Sequence, residues 1–141
     1  MNSPLIVVID GMGGGIGKSV VEKLCNEKIR LVALGTNSYA TNQMLNAGAH
    51  EGYTGQENII SYIEKADVII GVIGILIPDG MKGEFSADIV LSICKSSAVK
   101  ILIPMNRCGI KVATHEKSLS HHIDDAIDLA REEIENLNHE G

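Results

Sequence analysis

At 141 residues, with 45% hydrophobic residues, the chain has the length and composition of a single globular domain, residues 1–141, with one sizeable core. The longest apolar run, Val68 to Ile77, is ten residues long and holds two glycines, too short to span a membrane. The net charge of −6 resides in residues 118 to 141, which carry seven acidic groups and one basic group, so an acidic protein with only sparse cations between 89 and 117 is not expected to bind nucleic acid.

In chain order, Leu5 to Ile9 is a continuous apolar run, as expected for a strand covered on both faces of a parallel sheet. Asp10 follows, then a loop with Gly11, Gly13, Gly14, Gly15 and Gly17, and a helix with apolar positions Ile16, Val20, Val21 and Leu24. Glycines there let backbone N–H groups approach a pyrophosphate, while the helix beginning near Gly15 directs its positive end to the same place. Asp10 is expected to cap loop N–H groups, with a ribose contact as the alternative.

Arg30 to Leu34 reads as the second strand, Gly35 to Ser38 as its end, and Thr41 to Ala47 as a helix stopped by Gly48. A short third strand is expected between Ala49 and Gly55, then a helix over Glu57 to Lys65. Val68 to Ile73 is the fourth strand, broken at Gly71 and Gly74, where a backbone could approach a ligand or a helix could pack closely. After the Pro78-Asp79-Gly80 turn come a helix over Phe85 to Cys94 and a fifth strand over Val99 to Ile103, stopped by Pro104. Ile110 to Ala113 offers a sixth.

The last helix, from about Ser118 to Leu137, carries Ile123, Ile127, Ala130, Ile134 and Leu137 in steps of four and three. That stripe suits packing on the sheet, with a homodimer or a partner protein as the alternative. Cys25, Cys94 and Cys108 show no C-x-x-C spacing, and no signal sequence is evident, which points to reduced thiols in the cytoplasm. His121, His122, Asp124 and Asp125 have helical spacing, but a solvated acidic helix start explains them, and no metal site is assigned.

Gly11, Gly15, Ile16 and Gly17 fall on the positions of T-G-x-x-x-G-I-G, so the loop resembles the coenzyme loop of short-chain dehydrogenases, with Asp10 in place of threonine. The resemblance implies that Gly11, Met12, Gly13, Gly14, Gly15, Ile16 and Gly17 carry the pyrophosphate, and Lys18, next along the chain, is counted with them as a cofactor-binding candidate. It also implies that Thr36 and Asn37 face the adenosine ribose and that Gly71 to Gly74 flank the ring plane. It stops at chemistry, because the family's Tyr-x-x-x-Lys is absent: Tyr39, Tyr53 and Tyr62 are followed four residues on by Gln43, Glu57 and Ala66. Gly35 to Ser38 holds no acidic residue for a ribose diol, which favours NADP over NAD, with a flavin or an adenine nucleotide as alternatives.

Gly14 to Ser19 also resembles part of a deviant Walker A loop, in which Lys18 would hold phosphate and Ser19 magnesium. Met12 stands where that pattern needs glycine, and no strand ends in the acidic residue that would assist the metal. Over residues 5 to 113 the chain resembles an uncharacterised bacterial family of short Rossmann-like proteins, a domain of unknown function. The resembling stretches are Val8 to Gly11, Ala33 to Asn37, Ala47 to Gly52, Asp67 to Gly71 and Lys100 to Pro104.

The expectation is a three-layer α/β domain with a mostly parallel sheet of five or six strands in the order 3-2-1-4-5, closed by an amphipathic C-terminal helix. The expected function is dinucleotide binding, NADP or NAD, by a regulator, a carrier or one component of an assembly. The alternatives are an ATP-binding P-loop-like protein and a small enzyme acting on a phosphorylated or nucleotide-linked substrate. For the enzyme, Asp10, Asn106 and Cys108 are the candidate catalytic residues, because they lie at carboxyl ends of strands, where open parallel sheets bind ligands.

Overall fold

All six residues of the first strand, β1 (Leu5–Asp10), are buried, and the computed structural model, which describes residues 3–12, 15–107, 109–116 and 118–140, shows why. The strand lies in the middle of a five-stranded, all-parallel sheet among the described residues, between β2 (Arg30–Gly35) and β4 (Val68–Val72). The full order is β3-β2-β1-β4-β5, with β3 (Glu51–Thr54) and β5 (Val99–Ile103) at the edges. Ile6 pairs with Leu31 on one side and Val68 on the other, and the strand is apolar up to Asp10 at its carboxyl end. Burying Ile6, Val7, Val8 and Ile9 contributes roughly 1.5–3 kcal/mol each.

Five α-helices among the described residues cover the sheet: α1 (Gly15–Leu24), α2 (Ser38–Asn46), α3 (Gln56–Lys65), α4 (Ala87–Lys95) and α5 (Leu119–Glu140). Packing of α1 against α2 and α5, and of α3 against α4, divides them into two layers around the sheet. The result is the Rossmann-like three-layer arrangement expected from the alternating strand and helix patterns. None of the described helices is long and apolar enough to cross a membrane.

The helix α2 starts earlier than Thr41. Asn37 has extended backbone and its Oδ1 accepts from Ala40 N–H at 2.8 Å, an N-cap that lets Ser38 begin the first turn. The segment Ile110 to Ala113 forms no strand. Two of its N–H groups are engaged locally, Ile110 N–H donating to Arg107 O at 2.9 Å and Val112 N–H to Asn106 Oδ1 at 2.9 Å, and it does not join the edge of β5. The α5 stripe settles on the sheet and on α1, burying Ile123, Ala126, Ile127, Ala130 and Ile134. Lys23 reaches Asp124 at 3.3 Å and Arg131 reaches Glu27 at 3.4 Å across that contact.

The β3 edge is braced by polar and aromatic contacts. Arg30 donates from Nε and Nη2 to Glu51 at 2.5 and 2.7 Å, and Tyr53 Oη–H donates to the same carboxylate at 2.9 Å. The Tyr53 ring stacks on Tyr62 at 4.6 Å, with the Arg30 guanidinium 5.7 Å from the Tyr62 ring centre. The Arg30 hydrogen bonds hold the Glu51 carboxyl down at about 2.

Candidate functional site

The order of strands reverses between β1 and β4, because β2 and β3 extend to one side of β1 and β4 and β5 to the other. Connections that leave the carboxyl ends of β1 and β4 diverge there and leave a crevice, the usual ligand position in an open α/β sheet. A cleft of about 710 Å³ occupies it. Gly11, Met12, Gly15 and Ile16 form one side, and Val72, Ile73, Gly74 and Ile77 another. Met105, Leu119 and Ile123 make the far wall, and Asp10, Ser19, Lys82 and Arg107 add polar groups to an otherwise apolar lining.

Asp10 lies beneath the glycine loop and shapes it. Its Oδ1 accepts from Gly11 N–H at 2.7 Å and its Oδ2 from Gly17 N–H at 2.6 Å, so one carboxylate ties the start of the loop to the first turn of α1. Burial pushes the Asp10 carboxyl up, the two N–H donors pull it down, and Glu84 and Arg107 act in opposite directions, with a net rise. Gly17 is required by this arrangement: a Cβ there would lie 2.6 Å from Met44 Sδ and 2.9 Å from Asp10 Oδ2.

Gly15 differs. It lines the cleft, and a Cβ added to it would meet no atom within 4 Å among the described residues. The first-turn N–H groups of α1 have no intrahelical acceptors; Asp10 takes the one from Gly17, and no acidic residue of the turn itself complements the dipole. Lys82 and Arg107, which line the same cleft, add positive charge.

On the β2 side of the loop, Thr36 and Asn37 do come together with the glycine loop, through a residue that local sequence patterns do not reveal. Glu84, in the segment before α4, accepts from Thr36 Oγ1–H, from Asn37 Nδ2–H at 2.7 Å and from Met12 N–H at 3.1 Å. Asn37 Nδ2–H also donates to Met12 O at 3.1 Å. Burial pushes the Glu84 carboxyl up, but the hydrogen bonds from Thr36, Asn37 and Met12 outweigh it and the net shift is downward. Phe85 is fully buried beside it, and a bridge between Gly80 and Phe85 closes the segment. Asp79, Met81 and Lys82 have φ of 60°, 53° and 57°, left-handed conformations that cost L-residues roughly 1 kcal/mol or more each.

The remaining sequence candidates divide. Gly74 lines the cleft, whereas Gly71 has an internal reason to be glycine, because a Cβ would lie 2.9 Å from Ile75 Cδ1 and 3.0 Å from Ile9 O. Lys18 is exposed and outside the lining, and Ser19 Oγ–H donates back to Gly15 O at 3.2 Å. Asn106 is exposed, with its Oδ1 engaged by Val112 N–H, so it is not gathered with Asp10. Gly13, Gly14 and Cys108 lie outside the described residues. Among the described residues, no group of three or more His, Cys, Asp or Glu side chains is placed to hold a metal ion.

No curated protein matches the sequence significantly. A family model does match, over residues 5–135, nearly the whole described fold and every wall of the cleft. The chain therefore belongs to the family described as a domain of unknown function, DUF3842.

Proposed function

We propose that the protein binds a dinucleotide, NAD or NADP, across the crevice, with the pyrophosphate over the loop from Gly11 to Gly17. Gly15 carries this reading. It begins a helix, where alanine would be more stable by roughly 0.5–1 kcal/mol, yet no neighbouring atom among the described residues asks for glycine. Close approach of an external group accounts for the missing side chain. The first-turn N–H groups that Asp10 does not take, together with Lys82 and Arg107, are the complement of a diphosphate, and the apolar walls suit a ring.

Such a protein acts as a coenzyme-responsive regulator, a carrier or one component of an assembly in the cytoplasm. Partner proteins or a second subunit would supply any chemistry that the described cleft does not gather.

Thermal unfolding tests the proposal. NAD, NADP, their reduced forms, FAD, FMN, and ATP or ADP with magnesium are each titrated, since a ligand that binds the native state raises the midpoint with concentration. The expected result is a shift with NAD or NADP that Gly15→Asp abolishes while the unliganded variant stays folded. A shift only with magnesium and ATP, or none with any dinucleotide, would overturn the reading.

A further inference from the structure

We infer that Glu84 is the ribose-recognising acid of the site and that it selects NAD over NADP. This rests on the dinucleotide reading above. In dinucleotide-binding sheets a carboxylate close to the end of the second strand accepts hydrogen bonds from the adenosine ribose hydroxyls. Here β2 ends in Gly35 and runs into Thr36 and Asn37, neither of them acidic. The carboxylate arrives instead from the segment between β4 and α4, onto those same residues, with Asn37 Nδ2 at 2.7 Å and Met12 N at 3.1 Å.

The two carboxylate oxygens are loaded unequally. Oε1 accepts from Thr36, Asn37 and Met12, whereas Oε2 accepts only from Met12 N–H at 3.1 Å. Oε1 therefore fixes the group in place, and Oε2 retains a lone pair for a hydroxyl donor. Glu84 is half-exposed and lies just outside the cleft lining, joined to it through Met12, a lining residue whose N–H it accepts. The buried Phe85 ring and the Gly80–Phe85 bridge hold the backbone on the other side.

A 2′-phosphate meets the opposite situation. Thr36 Oγ1–H, Asn37 Nδ2–H and Met12 N–H, the donors that would receive it, are already spent on Glu84, and the carboxylate repels a second anion. The end of β2 by itself favours NADP; Glu84 reverses that preference.

Isothermal titration of NAD and NADP into the wild-type protein, Glu84→Gln and Glu84→Asp tests the inference. The wild type is expected to bind NAD at least tenfold more tightly than NADP. Glu84→Gln should lose about tenfold for NAD and gain for NADP, since hydrogen bonds to a charged group carry more than neutral ones. Glu84→Asp, which keeps the charge on a shorter stem, should weaken NAD while still rejecting NADP. A structural role alone would weaken both ligands together, so opposite movement of the two affinities is the diagnostic result. A wild-type preference for NADP, or equal changes for both ligands in Glu84→Gln, would overturn the role of Glu84 and leave dinucleotide binding standing. Absence of binding by either coenzyme to wild type and variants alike would overturn the dinucleotide reading itself, and this inference with it.

Discussion

The two sides of the glycine loop are built on opposite principles. Towards β2 the protein's own groups crowd the backbone: Gly35 is pressed by Thr41, and the buried Phe85 and the half-exposed Glu84 lie against Gly11 and Thr36. Towards β5 the protein leaves a cleft of about 710 Å³, lined by Gly15 and Gly74, whose missing side chains are not required by close contacts among the described residues. Glycine thus serves different ends a few residues apart. On the filled side it relieves crowding within the protein; on the open side it leaves room that the protein does not use.

The largest expected effect comes from opening the filled side. Phe85→Ala removes a fully buried ring and should cost about 4 kcal/mol in urea unfolding, because a cavity remains where the loop carrying Glu84 was anchored. A cost below about 1 kcal/mol would show that the segment is not held there by burial.

Gly35→Ala should follow closely. Its Cβ would lie 2.1 Å from Thr41 Oγ1, 2.7 Å from Thr41 N and 2.9 Å from Asn37 O, and two of these are backbone atoms that cannot step aside. A loss of about 3 kcal/mol is expected by chemical denaturation, and a neutral substitution would contradict the crowding described for this side.

A smaller, pH-dependent effect belongs to the β3 edge. Arg30 lowers the Glu51 carboxyl to about 2 from an ordinary value of 4.5. With its folded value depressed, Glu51 contributes stability above about pH 4.5 that is lost as pH falls towards about 2. Because the pair is partly exposed, the contribution should not exceed about 1 kcal/mol. Unfolding of wild type and Glu51→Gln from pH 7 to 2 should show curves that converge at the acid end; a constant difference would mean that packing rather than charge is responsible.

The smallest effect on stability is expected at Gly15 and has the opposite sign. Gly15→Ala should stabilise the unliganded protein by roughly 0.5 kcal/mol, since it reduces the freedom of the unfolded chain and meets no neighbour among the described residues. The same methyl group should weaken dinucleotide binding at least tenfold in calorimetry. Stabilisation without loss of affinity would separate Gly15 from the ligand and remove the main support for the proposed site.

Much of this architecture is legible along the chain. Leu5 to Ile9, the glycines and the stripe Val20, Val21 and Leu24 announce a buried strand, a loop and a helix, because each pattern follows from contacts within a few residues. Asn37 illustrates where local reading falls short: a turn-forming residue and an N-cap look alike until its Oδ1 is seen accepting from Ala40 N–H. The alternation in Ile110 to Ala113 suggests a strand, yet a strand needs a partner edge, and local turns took its N–H groups first.

The sequence by itself determined the strand order, the glycine loop and the sheet-facing stripe of the last helix, because hydrophobic periodicity and short connections leave few alternatives. Only the tertiary structure decided which glycines are crowded, where the cleft opens and which acid faces the end of β2. Glu84 lies 47 residues from Asn37 in the chain and 2.7 Å from it in space. No local pattern encodes that approach; it arises because β4 lies beside β1 and the segment after it folds back over the loop, held by the burial of Phe85.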